Sequence, residues 1–188
     1  MKYAAKVKFT PELKYMHKAN VVLTEHARRK HDDEPALVRY YIPSRQEALI
    51  RQALPKSLQG ANIAISRTTI DLRNFENDIK PHVHTHEKCV LNFYMKTNGE
   101  ETSFYEGEIE TDDDIVVDNY NLYRMVKTDK LEKVESFNAK DAEAWVLSTI
   151  QPHQVSVNVE QDYVRDMIQI YFLDLPIEAV IKEFEVME

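Results

Sequence analysis

The chain has 188 residues, 43% of them hydrophobic and 30% charged, with a net charge of −8 and a pI near 5.4. That size and composition suit one packed domain, and the acidic balance speaks against a general nucleic-acid binder, which needs a basic face. Apolar runs are too short to cross a bilayer, and a single cysteine, Cys89, leaves no internal disulfide and no cysteine zinc cluster.

The N-terminus is basic (Lys2, Lys6, Lys8), but no apolar stretch follows it. It therefore does not read as a signal peptide, and a cytoplasmic location is the expectation. Residues 19–29 fit either a strand or a helix. The cluster Arg28-Arg29-Lys30 lies between His26 and His31 and precedes Asp32-Asp33-Glu34. It reads as a solvated loop or helix end rather than an anion site. Ser44-Arg45-Gln46-Glu47 has the form of a capping box, with Ser44 as N-cap, opening a helix that runs to about Leu54 and stops at Pro55.

From residue 60 the pattern turns to strand. Asn62–Ser66 places Ile63 and Ile65 on one face, and Thr68–Leu72 continues the alternation. Cys89–Lys96 is apolar and aromatic, Asn98-Gly99 is a turn signal, and Glu101–Glu106 returns, so residues 89–106 predict a β-hairpin. Asp112-Asp113-Asp114 lacks the spacing and glycine of a calcium loop and reads as a solvated turn. Further strands are predicted at 131–137, 144–147, 154–159 and 163–172. Pro176 in a first turn, with apolar residues at 177, 180, 181 and 184, predicts an amphipathic helix over about 176–185. Many short strands separated by turn signals predict a mainly β fold, closed or sandwich-like. The whole, 1–188, reads as one domain: a core over about 60–173, with residues 1–59 and the C-terminal helix packed on it. An exposed edge strand would admit a homodimer.

Chemistry concentrates in Pro81-His82-Val83-His84-Thr85-His86-Glu87, which holds three of the seven histidines. In an extended segment, residues i and i+2 share a face, so two imidazoles can converge there. Histidine is the commonest metal ligand, and metal sites take three or four protein ligands. The competing reading is a solvated loop leading into a strand. A second histidine, His153, opens an alternating segment, and twelve residues later Arg165 lies in an apolar strand. A guanidinium there is costly to desolvate unless a carboxylate pairs with it, from a neighbouring residue or from a ligand. Cys89 reads as a small buried apolar residue.

Taken together, Pro81-His82-x-His84, Leu91-Asn92-Phe93-Tyr94, Thr102-x-Phe104-Tyr105-Glu106, Ala144-Trp145-Val146-Leu147, Pro152-His153-x-Val155 and Arg165 resemble the iron(II)/2-oxoglutarate-dependent oxygenases. The prolyl-hydroxylase-like branch is the nearest, and the resemblance spans about 60–173. It implies a double-stranded β-helix, also called a jelly roll or cupin-like barrel, with flanking helices. It also implies Fe(II) and 2-oxoglutarate as cofactors and a hydroxylation of an unknown small-molecule or protein substrate. Carried over, His82 and His153 are the histidine ligands, His84 stands where that family has an acid, and Arg165 binds the co-substrate carboxylate. Three imidazoles hold iron with one negative charge fewer, and another divalent metal would also suit them. The wider cupin pattern of His-x-His, a following Glu and a distal His gives His82, His84, Glu87 and His153. Glu87 and His86 are thus additional candidate ligands. The alternatives are a cupin with a metal but no keto-acid co-substrate, and a non-catalytic barrel that binds a small molecule or a protein.

Overall fold

The computed structural model describes residues 2–26, 37–71, 79–97, 99–111, 116–118, 121–127, 129–156 and 164–187. Within them the strands, in chain order, are β1 (Ala4–Val7), β2 (Val22–His26), β3 (Leu37–Tyr40), β4 (Ile63–Asp71), β5 (Ile79–His84), β6 (Cys89–Lys96), β7 (Glu101–Gly107), β8 (Val116–Asp118), β9 (Asn121–Met125), β10 (Leu131–Asn138), β11 (Ala144–Ser148), β12 (His153–Ser156) and β13 (Val164–Phe172). Helix α1 (Ser44–Ala53) precedes β4 and helix α2 (Ile177–Ile181) follows β13. No helix among the described residues is long and apolar enough to cross a membrane.

The strands form two antiparallel sheets, in the orders β1-β11-β6-β13-β4-β3-β2 and β10-β7-β12-β5-β9-β8. At their centre, β4-β13-β6-β11 faces β5-β12-β7-β10. Each consecutive pair of these eight strands crosses from one sheet to the other or turns back through a hairpin, which is the jelly-roll, or double-stranded β-helix, connectivity. The mainly β barrel expected from the sequence is therefore the observed architecture.

Side-chain alternation explains how the larger sheet is buried on both faces. On β6 and β13, Cys89, Leu91, Phe93, Ile168, Ile170 and Phe172 point outward into a cluster with Ile50 and Leu54 of α1, Val180 of α2, and Phe9 and Met16 of the N-terminal segment. The alternate residues Val90, Tyr94, Met167 and Tyr171 point inward, where Phe104 and Phe137 of the other sheet meet them. On β6 the odd positions therefore bind the helices and the even ones line the barrel, and on β13 the parity is reversed. Fully burying one such side chain, for example Ile50, contributes about 1.5–3 kcal/mol.

Polar contacts fasten the N-terminal region to this frame. Gln46 of α1 is fully buried, and it donates to the Glu12 carbonyl at 2.6 Å and accepts from Tyr15 N–H at 2.7 Å. At the open edge between the sheets, the Glu135 carboxylate on β10 accepts the backbone N–H groups of Lys2, Tyr3 and Ala4 at 2.7, 3.1 and 3.1 Å. The free edge of β1 is covered in part by the C-terminal segment, through a Val7–Val186 bridge and Met187 N–H on the Lys6 carbonyl.

Several expectations need correction. The two short strand signals around residue 67 are one strand, β4. His82 and His84 do not lie in a loop before the 89–96 strand. They end a strand of their own, β5, and residues 85–88 form the turn into β6. Residues 22–26 are strand, while 27–36, Arg28-Arg29-Lys30 among them, and 112–114 lie outside the described residues. The same holds for 157–159 and 163, so the two strands predicted there are described as β12, 153–156, and β13, 164–172. No capping box forms: Pro43, not Ser44, is the N-cap, and it offers no side-chain hydrogen bond. Glu47 instead pairs with Arg51 one turn later, at 2.9 Å. The C-terminal helix spans only Ile177–Ile181, with Pro176 as N-cap, because turn geometry takes over at Lys182.

Candidate metal centre

Strands β5 and β12 are adjacent in the smaller sheet, and the antiparallel register places His153 directly opposite His82. His84, two residues after His82, points to the same side of the sheet. That side is the barrel interior, because on the next strand β7 the inward Phe104 is opposite His153. Two elements distant in sequence thus deliver three imidazoles to one place. One ligand nitrogen from each of His82, His84 and His153 lies within 4.8 Å of the others. The ring centroids are 4.3 Å apart for His82 and His153, and 5.2 Å for each of the other two pairs.

Nitrogens that share an ion at about 2.1 Å lie roughly 3.0–3.5 Å apart, so the widest pair would close by about 1–2 Å, within reach of χ1 and χ2 rotation. The electronic state suits a cation as well. Nδ1 of His153 is 2.9 Å from the Gln151 carbonyl oxygen. A carbonyl only accepts, so Nδ1 carries the proton and Nε2 presents a lone pair. Burial pushes the His153 imidazole well below the ordinary histidine value of 6.5. The nearby His82, His84 and Arg165 push the same way, against a smaller opposing effect of the Gln151 hydrogen bond. A buried ring that stays neutral is the form a metal requires.

The remaining sequence candidates lie around this group. His86 is exposed in the 85–88 turn and is outside the three-histidine group. Glu87 is fully buried, and its Oε1 is 2.6 Å from Nδ1 of His84. It too is outside the group. Arg165 is on the opposite inner wall, and its guanidinium is already engaged. Nε is 3.0 Å from Oε1 of Glu100, Nη2 donates to the Tyr94 hydroxyl at 2.8 Å, and the group stacks over the Tyr94 ring at 4.9 Å. The same wall carries a hydrogen-bonded row, in which Thr68 donates to Gln169 at 2.5 Å and Gln169 to Asn92 at 3.3 Å.

Sequence reasoning did not identify Glu100, Tyr94, Gln151 or Thr149 as parts of this neighbourhood. The hairpin predicted over residues 89–106 does not form: β6 pairs with β11 and β13, β7 pairs with β10 and β12, and the turn at Gly99 carries the chain from one sheet to the other. Glu100 follows that turn, and β13 runs antiparallel to β6, so the turn lies at the end of the barrel where β13 begins.

No protein-family description matches the sequence, and no curated protein matches it. Among solved structures, an oxalate decarboxylase of Bacillus subtilis studied for its Mn(II) centres is 12% identical, with a TM-score of 0.38, over 77% of this chain and 28% of that one. A vicilin of Corylus avellana (hazelnut) is 10% identical, with a TM-score of 0.39, over 78% of this chain and 32% of that one. A second structure of oxalate decarboxylase, concerned with its substrate binding mode and a reaction specificity switch, is 11% identical, with a TM-score of 0.37, over 79% and 28%. The chain spans roughly a quarter to a third of the length of these proteins. The jelly-roll assignment rests on the strand order and register given above.

Proposed function

We propose that this protein is a metal-dependent jelly-roll enzyme that acts on a small polar molecule and uses no 2-oxoglutarate. The observation that carries the reading is the convergence of His82, His84 and His153 inside the barrel, with their nitrogens within 4.8 Å. A divalent ion held there would supply a Lewis-acid centre with open positions for a substrate oxygen or nitrogen.

The chain's own residues contribute orientation and shielding. His153 is held by the Gln151 carbonyl in the tautomer that directs Nε2 into the barrel. Phe104, Tyr94, Met167 and Tyr171 are buried in the interior and restrict water there, which strengthens electrostatic contacts with a bound substrate. The Thr68–Gln169–Asn92 row gives the opposite wall a polar character suited to a hydrogen-bonding ligand.

The Arg165–Glu100 pair favours this reading over the oxygenase one. To clamp a keto acid, Arg165 would have to leave a buried carboxylate at 3.0 Å and strand it. The test is a titration of the purified chain with Fe(II), Mn(II), Co(II) and Zn(II), followed by anaerobic addition of 2-oxoglutarate to the Fe(II) form. Binding of a divalent ion that is lost in His153→Ala, with no visible keto-acid charge-transfer band, is the expected result. A band that disappears in Arg165→Ala would restore the oxygenase assignment. Absence of any binding would leave a non-catalytic barrel.

A further inference from the structure

We propose that Glu87 is a positioning residue of this centre: it holds the His84 ring through Nδ1 so that Nε2 faces the cation beside His82 and His153. The inference rests on the metal reading above. It assigns the carboxylate a role other than direct ligation.

Three observations converge. First, Oε1 of Glu87 and Nδ1 of His84 are 2.6 Å apart, with the glutamate side chain wholly buried and the histidine side chain 10% exposed. A carboxylate oxygen in this contact accepts the Nδ1 proton, which commits that nitrogen and leaves Nε2, on the far edge of the ring, to meet an ion. Second, Glu87 is outside the group of nitrogens that converge, although it is only three residues from His84. The chain turns at 85–88, so the carboxylate comes back onto the outer edge of the ring and does not reach the ion's side.

Third, the turn that carries Glu87 is braced by one buried residue, Thr149, which is 1% exposed. His84 N–H donates to the Thr149 carbonyl at 2.8 Å, Thr149 N–H to the Lys88 carbonyl at 3.3 Å, and the Thr149 hydroxyl to the Glu87 carbonyl at 2.7 Å. Both ends of the turn are thus tied to the strand connection that leads on to His153. Glu87 is fixed in the backbone before it fixes the ring. Hydrogen-bond partners of this kind orient metal-binding histidines, and their removal typically weakens metal affinity 10–100-fold.

The test compares Co(II) affinity and visible spectrum in wild type, Glu87→Gln, Glu87→Ala and His153→Ala. Glu87→Ala should bind 10–100-fold more weakly. Glu87→Gln should recover most of that loss, because its amide oxygen can accept the same Nδ1 proton. A Glu87→Ala variant that binds as tightly as wild type overturns the proposal. So does a Glu87→Gln variant as weak as Glu87→Ala, because the carboxylate would then act as a ligand. If Glu87→Ala fails to fold, Glu87→Gln decides alone: near-wild-type affinity supports positioning, and a loss approaching that of His153→Ala overturns it. Nitrogen NMR of His84 adds a readout that a merely structural role leaves unmoved, with Nδ1 protonated in wild type and Glu87→Gln and the tautomers mixed in Glu87→Ala. Should wild type bind no Co(II) at all, the metal reading itself falls; if His153→Ala abolishes binding while both Glu87 variants retain it, only the positioning role falls.

Discussion

Arg165 and Glu100 face each other inside the barrel with Nε and Oε1 3.0 Å apart, and their side chains are 3% and 1% exposed. They come from β13 and from the turn before β7, so the pair ties together strands that belong to opposite sheets. Removing one member leaves the other charged and buried. Glu100→Leu or Arg165→Met should therefore cost about 3–5 kcal/mol, or roughly 6–20 °C in Tm for a chain of this size. The double variant Arg165→Met/Glu100→Leu should recover much of that, because two apolar side chains replace two charges. Thermal melts of the four proteins form the cycle, and full additivity of the single losses would show that the pair is not coupled.

Acid should destabilise the metal-free protein through His153. Its folded-state value lies well below 6.5, so between 6.5 and that lower value the unfolded chain binds a proton that the folded one does not. Stability is therefore complete above pH 6.5 and is lost as pH falls through this window, at about 1.4 kcal/mol per pH unit for one proton. Urea melts of chelator-treated protein between pH 7.5 and 5 would measure the slope. His153→Gln should reduce it by one proton, and an unchanged slope would exclude His153 as the source.

Gly107 ends β7 with φ at +142°, opposite Leu131 at the start of β10. A Cβ at this position would overlap the Lys130 carbonyl oxygen, which is backbone and cannot swing away. Gly107→Ala should lower stability by about 2–4 kcal/mol through strain and displacement of β10. Gly99, also at positive φ, has open space around its Cα, so Gly99→Ala should cost only about 1 kcal/mol. Chemical denaturation of both variants separates the two cases.

Cys89 should be inert in the folded protein. It is fully buried on the outer face of β6, and burial pushes its thiol up to about 12, with Glu178 adding to the effect. The thiolate is the reactive form, so a thiol reagent at pH 8 should label Cys89 only as the chain opens. Labelling that is fast and independent of denaturant would contradict the buried placement.

Much of the fold was legible in the chain because its causes are local. The alternation on 63–71, the Gly99 turn between two apolar runs, and the strands after residues 130, 143 and 163 each depend on neighbours within a few residues. What failed was the pairing across the Gly99 turn, whose two strands go to different sheets, and the local reading of ends. Ser44 lost the cap to Pro43 because a cap depends on where the backbone leaves extended geometry, and composition does not decide that. β5 was missed because its ladder partners are β12 and β9, both far along the chain.

The candidate site divides in the same way. Spacing alone put His82 and His84 on one face, since the period of an extended chain is two, and it marked Arg165 as needing a carboxylate, since an unpaired buried guanidinium is costly. Only the tertiary structure decided which groups answer those needs. Antiparallel pairing of β5 with β12 set His153 opposite His82, the crossover at Gly99 from one sheet to the other brought Glu100 to Arg165, and the 85–88 turn folded Glu87 back onto the outer edge of His84. These are contacts across sheets and around turns, determined by register and closure of the barrel, and no short stretch of sequence carries that information.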